Sequence, residues 1–348
     1  MGRQRALIVC PGRGSYSRAT MGILGNRNDA AAAAIDTCDA LRAASGRITV
    51  RELDAMERFQ ATKHVAGEHA SLLTFACSVA DFQDLNRDRF EVVGVTGNSM
   101  GWYTALCVSG ALPLQDAARL VEHMAAYQAR NVIGGQVIYP LVDGDWNASA
   151  ELEGNIASAL SHARGLGHVA EWSIRLGGYA VLGGDRPGVK ALLETLPKQQ
   201  RGDRTFPTQL PMHSAFHTSL MNETSQKALV ELSDLPYQRP AVPLIDGRGV
   251  VHRPHSAKLD ALREYTLGHQ VMRPFDYTTA IESALTHCAP DVIVLLGPGN
   301  SLGGPTAQVL VSKHWFGVEQ RDELRDGTPE HPHRLLSFGV AKQRDHLV

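Results

Sequence analysis

Short apolar runs that stop at glycine-rich turns alternate with longer stretches of helical period along most of this chain. The run Ala6-Leu-Ile-Val-Cys10 ends at Pro11-Gly-Arg-Gly-Ser15, which reads as a buried strand followed by a tight loop. Asn28–Ala44 is Ala-rich, and Glu68–Phe82 repeats Ala and Leu at helical spacing. Phe90–Val95 reads as a strand ended by Thr96-Gly-Asn-Ser-Met-Gly101, with a helical run Trp102–Val108 behind it. Pro113 opens the next helix, which runs to about Arg130. Strand, turn and helix in repeated order predict an α/β fold with a largely parallel sheet.

The middle of the chain breaks this rhythm. Gln136–Val142 reads as a strand, Ser149–Arg164 as a helix, and His168–Arg175 with Tyr179–Gly183 as two strands joined at Gly177-Gly178. Pro187–Leu196 follows as a helix. A β-α-β-β-α order of this length predicts a small inserted α+β unit. The polar run Lys198–Arg204 marks its exit, and alternation resumes with a strand at Val242–Asp246, a helix at Tyr277–His287 and a strand at Asp291–Leu296. The expected organisation is a large α/β unit (1–130 and 205–315), a small unit (131–204) and a loosely attached polar tail (316–348).

Composition narrows the function classes. The chain has 348 residues, 43 % of them hydrophobic, with 34 Lys+Arg against 36 Asp+Glu and a net charge of −2. That is a globular protein long enough for two units, without the basic excess of a nucleic-acid binder. No run of about 20 apolar residues predicts a membrane span. Only five apolar residues precede Pro11, too few for a signal peptide. The five cysteines are scattered without a Cys-x-x-Cys pair, which fits reduced thiols and a cytoplasmic setting.

The chemistry-bearing motif is Gly97-Asn98-Ser99-Met100-Gly101. A sharp strand-to-helix reversal needs residues without bulk two before and two after the Ser. The turn lifts the hydroxyl above the sheet, and the Met100 amide behind it can donate to an oxyanion. The pentapeptide is a weak signal alone; its setting between an apolar strand and a helix strengthens it. A serine needs a base to attack at neutral pH. Of 15 histidines, His217 in Leu210-Pro-Met-His-Ser-Ala-Phe-His-Thr-Ser-Leu220 is the best candidate. His213 and His217 have metal-type spacing, but no matching Glu or regular helix accompanies them. The loop Gly297–Gly304 lacks a phosphate-loop ending and reads as a structural turn. Asp143, Asp145 and Glu151–Glu153 read as a solvated face, and His331-Pro-His333 as a tail feature.

An ordered set of segments carries a family resemblance. It comprises Pro11–Ser15, Gly97–Leu106, Ser109-Gly110, Asp116–Val121, Ala215–Met221, Gln270–Pro274 and Leu296–Gly299. Together, over about residues 6–315, they resemble the malonyl-CoA:acyl-carrier-protein transacylase family, including the acyltransferase domains of polyketide synthases. The resemblance implies an α/β-hydrolase-like large subdomain with a small ferredoxin-like insert. It implies Ser99 as nucleophile, His217 as base and then acid, and a main-chain carbonyl at Gln270 that orients the imidazole. The amides of Met100 and Arg13 would form the oxyanion hole. No cofactor or metal is implied. The partners would be acyl-CoA and an acyl carrier protein docking on basic surface, with neither nucleic acid nor membrane involved.

The departures from the family pattern bear on the acyl group. Arg13 stands where the family has Gln, Asn98 where it has His, Trp102 where it has an acidic residue, and His69 where it has Gln. The Arg that pairs with the malonyl carboxylate falls on Met124. Met cannot replace a bidentate, charge-assisted pair, so the expected donor lacks a free carboxylate. Arg13, or Arg175 at a family Asn position in the small subdomain, would be the relocated cation if a carboxylate is bound after all. Phe216 resembles the small-pocket signature that disfavours large α-branches. The expectation is an acyltransferase of fatty-acid or polyketide assembly. A hydrolase that strips acyl groups from carrier proteins, and a non-catalytic scaffold subunit, are the alternatives.

Overall fold

The computed structural model describes residues 2–130, 132–324 and 334–348. The chain lays down β1 (Gln4–Cys10) and β2 (Phe90–Gly97), then an inserted group: β3 (Gly135–Pro140), β4 (Ala170–Leu176), β5 (Tyr179–Gly184), the hairpin β6 (Gln199–Arg201) and β7 (Arg204–Phe206), and β8 (Thr208–Gln209). It returns with β9 (Leu244–Ile245), β10 (Val251–His252), β11 (Phe275–Asp276), β12 (Val292–Leu295) and β13 (Leu335–Ser337). The principal helices are α1 (Asp29–Ala44), α2 (Gly67–Asp84), α3 (Gly101–Val108), α4 (Leu114–Arg130), α5 (Ala150–Gly165), α6 (Arg186–Thr195), α7 (Asn222–Glu231), α8 (Tyr277–Cys288), α9 (Gly303–Ser312) and α10 (Ala341–Leu347).

Six strands form the larger sheet in the order β10-β9-β2-β1-β12-β13. All neighbours are parallel except the edge strand β10, which runs antiparallel to β9. Ala6–Cys10 is an unbroken buried run because β1 lies in the middle with helices on both faces. Each fully buried aliphatic side chain there contributes roughly 1.5–3 kcal/mol. Helix α2 is buried continuously from Ala70 to Asp81 and packs against α1, α3 and α4. A helix apolar all round belongs inside, which explains why its Ala and Leu pattern shows no clean polar face.

The second sheet has the order β11-β4-β5-β3-β8. Helices α5 and α6 cover one of its faces and enclose a small core with Val137, Tyr139, Ile156, Leu160 and Leu192. Strand periodicity separates the faces: Ala180 and Leu182 belong to that small core, while Val181 between them belongs to the main one. The sheet reaches beyond the expected 131–204 segment. β8 pairs with β3 after the polar run, which is itself the β6–β7 hairpin turned at Gly202, and β11 returns from the large unit to pair with β4.

The C-terminal segment departs from the expected loose tail. β13 adds a parallel strand to β12, Leu347 is fully buried, and Arg344 reaches Asp81 and Asp84 of α2 at 3.0 and 3.4 Å. The apolar pair Leu335-Leu336 completes the sheet edge, a tertiary gain that the segment's polar average conceals. His331-Pro-His333 lies outside the described residues. Among the described residues no helix is long and apolar enough to cross a membrane.

Candidate active site

Strand β2 ends at Gly97 and α3 starts at Gly101, leaving three residues for the reversal. Ser99 at the apex has φ of 54°, the left-handed region that costs a non-glycine residue free energy and persists only where the surroundings enforce it. They do so here. A Cβ on Gly97 would lie 2.3 Å from the Gly101 carbonyl oxygen, and one on Gly101 only 2.1 Å from that of Cys10. The elbow therefore closes only around two glycines.

Ser99 Oγ lies 2.7 Å from His217 Nε2. His217 Nδ1 lies 2.5 Å from the Gln270 carbonyl oxygen, so Nδ1 carries the proton and Nε2 is left to accept one. His217 is fully buried, and burial pulls its pKa down to about 4 against the opposing pull of that carbonyl. At neutral pH it is an uncharged base. Gln270 does more than supply a carbonyl. Its Nε2 donates to the Ser99 carbonyl oxygen at 3.0 Å, and its Oε1 accepts from Tyr103 Oη at 3.1 Å. One residue thus touches both halves of the pair.

Ser99 opens on a cavity of about 900 Å³, with His217 buried behind it. Met100, the first residue behind Ser99, and the Gly12-Arg13-Gly14 loop both line it. A Cβ on Gly12 would be 3.6 Å from Ser99 Cβ, so this loop runs beside Ser99. Asn98, Met124 and Phe216 also line the cavity, and Phe216 meets the His217 ring edge-on at 6.2 Å. Met124 is 2 % exposed and sits in the wall with Val121 and Ala125 of the same α4 turn.

Two expected substrate contacts are placed elsewhere. His69 lies outside the cavity wall with Nδ1 2.7 Å from Arg42, a buried guanidinium that also holds Glu122 and the backbone of Ile48 and Glu68. Arg175 is exposed and stacks on the Trp172 ring, its guanidinium 4.3 Å from the centroid. Successive strand residues face opposite ways, so Ile174 takes the cavity face that Arg175 forgoes. Arg13 does reach the wall. Its Nη2 donates to the Met212 carbonyl oxygen at 2.7 Å, and burial lowers its pKa to about 10, which leaves it cationic.

Sequence patterns missed several contributors. The Gly297–Gly304 turn lends Asn300, Ser301 and Leu302 to the wall, with Ser301 Oγ 2.6 Å from Ser15 Oγ. Tyr103 carried no signal beyond its place one helical turn after Ser99. His213 lines the cavity with Nδ1 2.8 Å from the Pro211 carbonyl oxygen. Among the described residues no group of three His, Cys, Asp or Glu side chains could hold a metal.

No family model matches the chain. A malonyl CoA-acyl carrier protein transacylase of Escherichia coli is 26 % identical over 216 residues, 62 % of this chain and 65 % of that protein. A highly reducing polyketide synthase of Emericella nidulans is 26 % identical over 271 residues, 72 % of this chain and 10 % of its own length. Among solved structures, an acyl-carrier-protein S-malonyltransferase from Burkholderia pseudomallei superposes with a TM-score of 0.74 at 18 % identity, covering 98 % of this chain and 99 % of that one. The malonyl-CoA:ACP transacylase of Synechocystis sp. PCC 6803 gives 0.75 at 18 % identity, covering 99 % and 100 %. The architecture thus matches that of these two structures, a large parallel-sheet α/β unit with a small inserted one. At these identities the chain shares the fold of the solved structures and a sequence likeness to the malonyl-CoA:acyl-carrier-protein transacylases, of whose length in Escherichia coli it spans just under two thirds.

Proposed function

We propose that the protein is an acyltransferase that moves an acyl group from CoA to the phosphopantetheine thiol of an acyl carrier protein through an acyl-Ser99 intermediate. The observation that carries this reading is the contact of Ser99 Oγ with His217 Nε2 at 2.7 Å, with Nδ1 committed to the Gln270 carbonyl. His217 Nε2 takes the Ser99 proton as Oγ attacks the thioester carbonyl. The Met100 and Arg13 amides stabilise the oxyanion, and main-chain donors are indifferent to the changed side chain at position 13. The CoA thiolate leaves with the proton from His217. The carrier thiol then attacks the acyl-serine, giving its own proton to His217, which returns it to Ser99. The chemistry needs no cofactor.

The donor in this reading carries no free carboxylate. The family's carboxylate-pairing position is Met124, buried in an apolar stretch of the wall. An unpaired carboxylate there costs several kcal/mol, and each 1.4 kcal/mol is tenfold in binding. Arg175, one of the two expected substitutes, faces away. Intact mass spectrometry after mixing with malonyl-, acetyl- and hexanoyl-CoA tests this. We expect an acetyl or hexanoyl adduct that Ser99→Ala abolishes, little malonyl adduct, and a gain of malonyl adduct in Met124→Arg. A prompt malonyl adduct lost in Arg13→Gln overturns the donor assignment and transfers the carboxylate role to Arg13. Adding a carrier protein separates transfer from hydrolysis, since the hydrolase releases free acid and leaves the carrier thiol unloaded. The contact between Ser99 and His217 argues against a scaffold that has lost catalysis.

A further inference from the structure

The base is held from both halves of the molecule. Ser99 stands at the end of β2 in the six-stranded sheet, whereas the loop carrying His217 is fastened to the inserted sheet. His217 has φ of 62°, so its backbone occupies a conformation that only surrounding contacts sustain. Those contacts converge on the peptide unit between Phe216 and His217. The His217 N–H donates to the Val271 carbonyl oxygen at 2.8 Å, on the large-unit side. The Phe216 carbonyl accepts from the opposite side, from Ser173 Oγ of β4 at 2.9 Å and at long range from Gln136 Nε2 of β3 at 3.4 Å. Gln136 Nε2 also donates to Ser173 Oγ at 2.7 Å, fixing that hydroxyl so that its own proton points to Phe216. Gln136 is 3 % exposed and Ser173 fully buried. Two residues further on, Glu171 of β4 accepts from both the backbone N–H and the Oγ of Ser219, at 2.9 and 2.5 Å.

We infer that Gln136 and Ser173, with Glu171 as an outer anchor, are positioning residues that hold His217 in register with Ser99. The inference rests on the acyl-serine reading above. A buried Gln–Ser pair in contact with one carbonyl is more than packing requires, because apolar residues of similar shape would fill the same volume without two polar groups to satisfy. Its value lies in direction. The pair pulls the Phe216 carbonyl towards the inserted sheet while Val271 pulls the His217 amide the other way. The two bonds fix the plane of that peptide unit, and with it the φ of His217 and the aim of the imidazole. Without the pull on the carbonyl, the peptide unit relaxes and Nε2 leaves the line to Oγ. Substrate binding, which the cavity wall decides, is then little changed.

The test measures single-turnover acylation of Ser99 in the full chain, using as donor whichever of acetyl- and hexanoyl-CoA gives the adduct in the unaltered protein. Ser173→Ala and Gln136→Glu, the latter isosteric but with no amide donor at neutral pH, are expected to lower the maximal acylation rate about 10- to 100-fold with KM within about twofold. Ser173→Thr, which keeps the hydroxyl, is expected to restore most of the rate. Glu171→Ala, at a half-buried site where folding is not at risk, is expected to lose about two- to fivefold. Rates unchanged in Ser173→Ala and Glu171→Ala, or losses that appear in KM alone, overturn the proposal. So does a loss in Ser173→Thr equal to that in Ser173→Ala, since the hydroxyl would then have no part in it. If Ser173→Ala does not fold, Glu171→Ala and Ser173→Thr decide between these outcomes. Failure of the acyl-serine reading is a separate result: neither donor then marks Ser99 in the unaltered protein, whatever the variants do.

Discussion

At the scale of single residues, His217 decides how the protein responds to pH. Its burial lowers the pKa from 6.5 to about 4. An unfolded chain therefore binds a proton there between those values that the folded protein refuses. Stability from this residue is fully present above about pH 6.5 and is lost as pH falls through about 4. The span amounts to about 3 kcal/mol. His213, pushed down to about 3, acts in the same direction. Urea midpoints at pH 7.5 and pH 5 should differ measurably, and His217→Gln should flatten that difference. In the proposed mechanism the same residue sets activity, since only neutral imidazole accepts the Ser99 proton. Acylation should stay level from pH 8 to about 6 and fall with an apparent midpoint near 4. A midpoint near 6.5 would show a hydrated imidazole and contradict the buried geometry.

At the scale of elements, the parts legible in the sequence are those whose pattern is local. The apolar run of β1 and the strand–glycine–serine–glycine–helix order of the elbow identify themselves, because steric demands act within a few residues. Gly101→Ala tests that reading. Its Cβ, 2.1 Å from the Cys10 carbonyl oxygen, forces β1 and α3 apart. We expect a loss of several kcal/mol in stability, read in a denaturant titration, and no Ser99 adduct. Parts that depend on distant partners stayed hidden. β9 and β11 are two residues each, strands only because β2 and β4 lie beside them. Gln136 and Ser173 read as ordinary strand residues until the His217 loop arrives, 80 and 43 positions further along the chain. Met124 was legible only by register with the family pattern, and its helix places it in the cavity wall because α2 and α4 pack face to face. Arg175 failed because strand alternation, one residue out, turned it to solvent.

Across the whole molecule, the C-terminal segment braces the cavity from behind. Asp81 of α2 is fully buried and accepts from three groups. Arg27 reaches it at 2.7 Å, Arg344 of α10 at 3.0 Å and the Gly297 N–H at 2.7 Å, and Arg27 and Arg344 share Asp84 as well. Gly297 opens the loop whose Asn300 and Ser301 line the cavity, and Ser78 Oγ donates to its carbonyl oxygen at 2.5 Å. The segment thus reaches the cavity loop through one carboxylate. Arg344→Ala leaves Asp81 paired with Arg27, so a loss of about 1–2 kcal/mol follows rather than collapse. For a chain of this size that is a fall of a few degrees in Tm, read by calorimetry. Asp81→Ala should cost far more, because it leaves two guanidinium groups to Asp84 alone and takes the partner from the buried Gly297 amide. Its acylation rate should fall as well, since the cavity loop loses its anchor. If Arg344→Ala and a chain ending at 334 both keep the full Tm, the C-terminal strand and helix are passengers, and the cavity loop is held by Ser78 and Asp81 without them.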